Sequence, residues 1–91
     1  MRQISDLEKE IIDFAKKKSQ IVLASRGIDP EEGTPAYWFH VGGKYDFELG
    51  KDITSLSLRL HRKYRKNIEI FQWPANEEAS FLGEKIYTRE T

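Results

Sequence analysis

Residues 36–49 constrain the fold more than any other stretch of this chain. Ala36-Tyr37-Trp38-Phe39-His40-Val41 is aromatic-rich and strand-like, Gly42-Gly43 follows, and Lys44-Tyr45-Asp46-Phe47-Glu48-Leu49 alternates polar with apolar. A Gly pair supplies the positive φ angles of a type I′ turn, so the pattern predicts a β-hairpin over 36–49. A two-residue loop sets Val41 against Lys44, His40 against Tyr45 and Trp38 against Phe47. One face then gathers Trp38, His40, Tyr45, Phe47 and Leu49, the better candidate for the core. The other gathers Tyr37, Phe39 and Val41 across from Lys44, Asp46 and Glu48.

Helical periodicity flanks this segment. Ser5 and Glu8 form a capping-box pair, and Ile4, Leu7, Ile11 and Phe14 recur at spacings of three and four. Acids open the segment and Lys16, Lys17 and Lys18 close it, matching the helix dipole, so a helix is expected over about 5–18. Residues 52–66 carry two patterns. Asp52 as N-cap, the stripe Ile53, Leu56, Leu60, Tyr64 and Asn67 as terminator argue for a helix; Ser55 to Leu60 alternating at period two argues for a strand. The helix is the preferred reading, with a continuous β-meander as its alternative.

Shorter elements complete the order. Residues 20–25 and 68–73 read as strands, the second stopped by Pro74. Residues 26–35, with two Gly, two Pro and three acids, read as a loop. Asn76 to Leu82 suggests a short helix, and 85–88 a final edge strand or a loose tail. The expected fold is α+β: a single-layer sheet of three to five strands, including the 36–49 hairpin, with helices at about 5–18 and 52–66 packed on it. A parallel pairing of 44–49 with 68–73 across the second helix would need a right-handed crossover.

Composition narrows the function classes. At 91 residues the chain is expected to form one compact domain over 1–91. With no cysteine it has no disulfide, thiolate metal site or Cys nucleophile. The longest apolar run, Ile21 to Ala24, is far too short to span a bilayer, and residues 1–6 lack the apolar core of a signal peptide. A soluble, cytoplasmic protein with no membrane contact is the expectation; the pattern specifies no oligomeric state.

The chemistry concentrates in Arg59-Leu60-His61-Arg62-Lys63-Tyr64-Arg65-Lys66. Arg59, Arg62, Lys63, Arg65 and Lys66 put five of the fifteen basic residues into eight positions, in a chain of zero formal net charge. On a helix, Arg59, Arg62 and Lys66 share one side, flanked by Lys63, opposite the apolar stripe. That face suits nucleic-acid phosphate, RNA or DNA. Tyr37 and Phe39 would add base stacking if their face of the hairpin stays open, and become core if a helix covers it. The reading is a small non-catalytic binding module that needs no cofactor or metal. The alternative is a protein-interaction or regulatory adaptor that uses segregated acidic and basic surfaces, the acids being Asp29, Glu31, Glu32, Glu77 and Glu78. A third option is a ribonuclease-like use of His40 or His61, the latter beside Arg62 and Lys63. His40 reads first as a hydrogen-bonded core histidine, and no spacing of the two histidines matches a metal motif.

Overall fold

The computed structural model describes residues 5–74 and 83–89. Its elements run α1 (Asp6–Lys17), β1 (Ile21–Ile28), β2 (Pro35–Val41), α2 (Phe47–Tyr64), β3 (Glu69–Pro74) and β4 (Glu84–Thr88). The four strands make one sheet in the order β3-β2-β1-β4. β1 pairs antiparallel with β2 and with β4, while β2 pairs parallel with β3 across α2. The architecture is the expected small α+β fold. The helix suggested over 76–82 lies outside the described residues.

α1 forms where its caps and periodicity place it. The Ser5 hydroxyl accepts from the Glu8 amide at 3.2 Å, and Leu7, Ile11 and Ala15 are buried. At its other end the Arg89 guanidinium donates to the carbonyls of Ala15, Lys16 and Lys18 at 2.8, 3.2 and 2.9 Å and, through Nε, to that of Ile21 at 2.9 Å. A helix end leaves carbonyls without intrahelical donors, and this one side chain from beyond β4 satisfies several of them.

The 36–49 hairpin does not form. Residues 36–41 lie within strand β2, but 44–49 are not a strand: Asp46 caps α2, its carboxylate accepting from the Leu49 amide at 3.0 Å, and helix begins at Phe47. The physical reason lies further along the chain. As helix, Leu49 joins Ile53, Leu56 and Leu60 at spacings of four, three and four, and all four are buried. As strand it would have been cut off from them. Gln72 locks the start of this helix to β3, accepting from the Asp46 amide at 2.6 Å and donating to the Asp46 carbonyl at 3.0 Å. The helix expected over 52–66 therefore starts five residues earlier, and its last cap is Arg65 in the left-handed region (φ 54°), not Asn67.

The hairpin of this protein joins β1 to β2. β1 runs on to Ile28, well into the stretch read as a loop, and the turn between the strands is short and closed. The Asp29 amide donates to the Thr34 carbonyl, the Gly33 amide to the Asp29 carbonyl, and the Asp29 carboxylate accepts from the amides of Glu31 and Glu32. Gly33 has φ +71°, which the turn requires and glycine supplies without strain.

Both helices cover one face of the sheet, and the face they cover is opposite to the one expected. The core joins Leu7, Ile11 and Ala15 of α1 and the α2 stripe to Ile21, Ala24, Tyr37, Phe39 and Val41. Trp38 and His40 point to the other face, beside Ser25 of β1 and Phe71 and Trp73 of β3. Both alternating sets of β2 are apolar, so its own sequence could not choose between them. Contacts with the helices do: the Phe39 ring stacks on Phe14 of α1, with centroids 5.3 Å apart. Arg26 adds an ionic tie across three elements, reaching Glu8 of α1 at 3.4 Å and Glu84 of β4 at 3.0 Å.

Candidate functional site

The outer face of α2 carries Arg59, Arg62 and Lys63, whereas Arg65 is the left-handed cap and Lys66 lies past the helix end, so the helical alignment of Lys66 with Arg59 and Arg62 expected from sequence does not form. With Leu49, Ile53, Leu56 and Leu60 turned to the sheet, helical geometry puts Ser55, Leu58, Arg59, Arg62 and Lys63 outside, around a shallow depression of about 530 Å³. Arg62 and Arg65 border a second hollow with His61. All five cations are exposed, and Leu58 sits half-exposed among them.

They are not equivalent. Glu10 of α1 pairs with Lys63 at 3.1 Å and Arg59 at 3.7 Å and accepts a hydrogen bond from the Tyr64 hydroxyl. The Tyr64 bond and then Lys63 hold the Glu10 carboxyl below the usual carboxylate range. This clamp therefore stabilises the fold above the ordinary glutamate pKa and is lost as pH falls through the lowered value. Two of the five cations thus have part of their charge answered by α1. Arg62, Arg65 and Lys66 pair with no carboxylate among the described residues.

The stacking partners suggested from sequence are not on this surface. Phe39 is fully buried and Tyr37 is 7% exposed, both beneath the helices. They belong to the core. The histidines have structural partners as well. His40 Nε2 lies 2.9 Å from the buried Ser25 hydroxyl, and burial, then the charge of Lys85, lowers its pKa below the ordinary imidazole value. His61 Nδ1 donates to the Lys66 carbonyl at 3.1 Å. One histidine is on the far face of the sheet and the other on the exposed face of α2, so the two do not converge.

Sequence reasoning missed a second concavity. On the sheet face away from the helices, a cleft of about 300 Å³ is lined by Trp38, Phe71 and Trp73 together with Asp29, Pro30 and Glu31 of the β1–β2 turn. Trp38 and Phe71 stack across β2 and β3 at 5.8 Å, and Trp73 follows Phe71 two residues along the same strand. The available signal was the spacing of Phe71 and Trp73, which puts both on one face of any strand.

Asp29 and Glu69 form a paired-acid site beside this cleft. Hydrogen bonding to Glu69, then the Glu31 amide, holds Asp29 below the usual range, while the same contact and burial raise Glu69. The shifts run in opposite directions, so the contact favours Asp29 as the anion and Glu69 as the protonated donor. Ionising Glu69 as pH rises through its raised pKa removes the bond and sets two anions together; protonating Asp29 as pH falls through its lowered pKa removes the acceptor. Glu69→Gln keeps a donor at every pH. It is expected to raise the urea midpoint near neutral pH and to lose that advantage at acidic pH where Glu69 is already protonated. Midpoints measured from about pH 4 to pH 8 check this.

None of the helices among the described residues is long and apolar enough to cross a membrane. The chain matches no protein-family model and no curated protein sequence.

Proposed function

We propose that the protein is a small binding module whose helix α2 docks on the phosphate backbone of nucleic acid. The observation that carries this reading is the set Arg62, Arg65 and Lys66, three cations at one helix end that have no acidic partner among the described residues. Arg59 and Lys63 extend the same surface from within their pairing to Glu10. Guanidinium groups can fork onto phosphate oxygens, and the shallow relief around them suits an extended backbone better than a small enclosed ligand. Because the Trp38, Phe71 and Trp73 cluster is on the opposite side of the sheet, the basic face carries no stacking platform among the described residues. Binding is therefore expected to depend on charge and to discriminate little among sequences.

The reading is tested by anisotropy titrations with labelled single-stranded RNA and duplex DNA at about 50 to 200 mM salt. The variant Arg62→Ala/Arg65→Ala/Lys66→Ala is expected to flatten the plot of log affinity against log salt by about two to three units, at roughly 0.7–0.9 per lost phosphate contact. Glu10→Gln, which removes the neighbouring negative charge, is expected to shift affinity the other way. Binding that ignores both salt and the triple substitution would overturn this reading in favour of the protein-interaction adaptor. That alternative draws on Leu58 within the basic face and on the exposed edge-to-face pair of Tyr45 and Phe47.

A further inference from the structure

We infer that the cleft between the sheet and the β1–β2 turn is a binding site for a small quaternary ammonium compound. Phe71 and Trp73 of β3, both part-exposed, line it with the buried Trp38 of β2 stacked against Phe71 behind them, and Asp29 and Glu31 line its edge. This is the complement of a cation with an apolar surface. The faces of aromatic rings attract positive charge through their quadrupoles, and tryptophan does so most strongly. A neutral aromatic ligand would gain from the rings but nothing from the acids, and a phosphate-bearing one would be repelled by them.

The negative charge at the edge is built to persist. The Asp29 carboxylate accepts from the amides of Glu31 at 2.8 Å and Glu32 at 3.3 Å. Among the described residues no Lys or Arg forms an ion pair with Asp29 or Glu31. The site lies on the face of the sheet opposite α2, so it is independent of the nucleic-acid reading. Its volume of about 300 Å³ falls at the small end of ligand pockets, which favours a compact head group such as trimethylammonium.

Both tryptophans of the chain line this cleft, so intrinsic fluorescence reports on it directly. The experiment titrates the full chain with choline chloride and, in parallel, with 3,3-dimethylbutan-1-ol, the neutral isostere that keeps the shape and removes the charge. A saturable change with choline, weaker by about tenfold or more with the isostere, is expected from aromatic and carboxylate attraction combined. Asp29→Asn/Glu31→Gln, which leaves the turn its side-chain acceptor, should weaken choline binding by about tenfold and leave the isostere unaffected. Phe71→Leu, at a position 37% exposed and so tolerant of change, should weaken it by about threefold or more. Equal affinity for choline and the isostere, or no saturable response to choline, would overturn the proposal. A trimethyl-lysine peptide binding at least about tenfold tighter than choline would overturn the small-molecule source in favour of a modified protein.

Discussion

Gly83→Ala is expected to cost about 3 kcal/mol of folding stability or more, a large share of the roughly 5–14 kcal/mol available to a domain of this length. Gly83 leads into β4 with φ +66°, a backbone region that costs an L residue roughly 1–2 kcal/mol by itself. A Cβ there would stand 2.2 Å from the Arg26 carbonyl oxygen and 3.1 Å from the Gly27 Cα. Both belong to the backbone of β1, which is paired on each side, so neither can retreat without disturbing the β1–β2 ladder. Gly42→Ala is the control: no atom lies within 4 Å of its added Cβ, and the change should shift stability little. Urea unfolding followed by circular dichroism measures both. Equal midpoints for Gly83→Ala and the unaltered protein would contradict the close approach of Gly83 to β1.

Arg89→Met is expected to cost about 2–3 kcal/mol. Its guanidinium reaches carbonyls at the end of α1 and at Ile21, and its backbone amide donates to Val22 at 2.9 Å. Hydrogen bonds from a charged donor contribute about 1.5–3 kcal/mol each where buried, and the half-buried position of Arg89 reduces their sum. Methionine retains much of the apolar stem and loses every side-chain donor, so packing changes least. Arg89→Lys should recover less than half of the loss, because one ammonium cannot reproduce a planar fork spread over several carbonyls. Denaturation midpoints check the magnitude. Amide exchange at Ile21, whose amide donates to the Lys18 carbonyl, and at position 89, whose amide donates to Val22, checks the location: protection there should fall more than at Leu56 or Leu60, which belong to the core of α2. Uniform loss of protection would argue against a local clamp.

Much of the fold was legible because helices are written locally. The caps and stripe of α1 lie within a few residues of one another, and its expected bounds differ from the observed ones by one residue at each end. The start of α2 was misread because 44–49 satisfies a strand pattern over six residues. Asp46 as cap and the Leu49–Ile53 spacing carried the competing signal, but only when the segment is read together with the residues after it. At the site, the cations of α2 were visible as a run, whereas the Glu10 clamp was not: its partners are separated by about fifty residues of chain and meet only when α1 packs beside α2.

The sequence by itself determined the α+β class, the two helices, the cores of three strands and the concentration of positive charge at the end of α2. Caps, periodicity and charge order act within a turn or two of the chain, so those features survive without knowledge of the fold. Tertiary structure decided which face of β2 became core. Tyr37, Phe39 and Val41 compete there with Trp38 and His40, and only the placement of both helices on one side separates them. The same placement divided the cations into those answered by Glu10 and those left outward, and assembled the aromatic cleft from a turn and two strands. Pairing between strands and packing between layers join residues far apart in sequence, and no local pattern encodes which of them will meet.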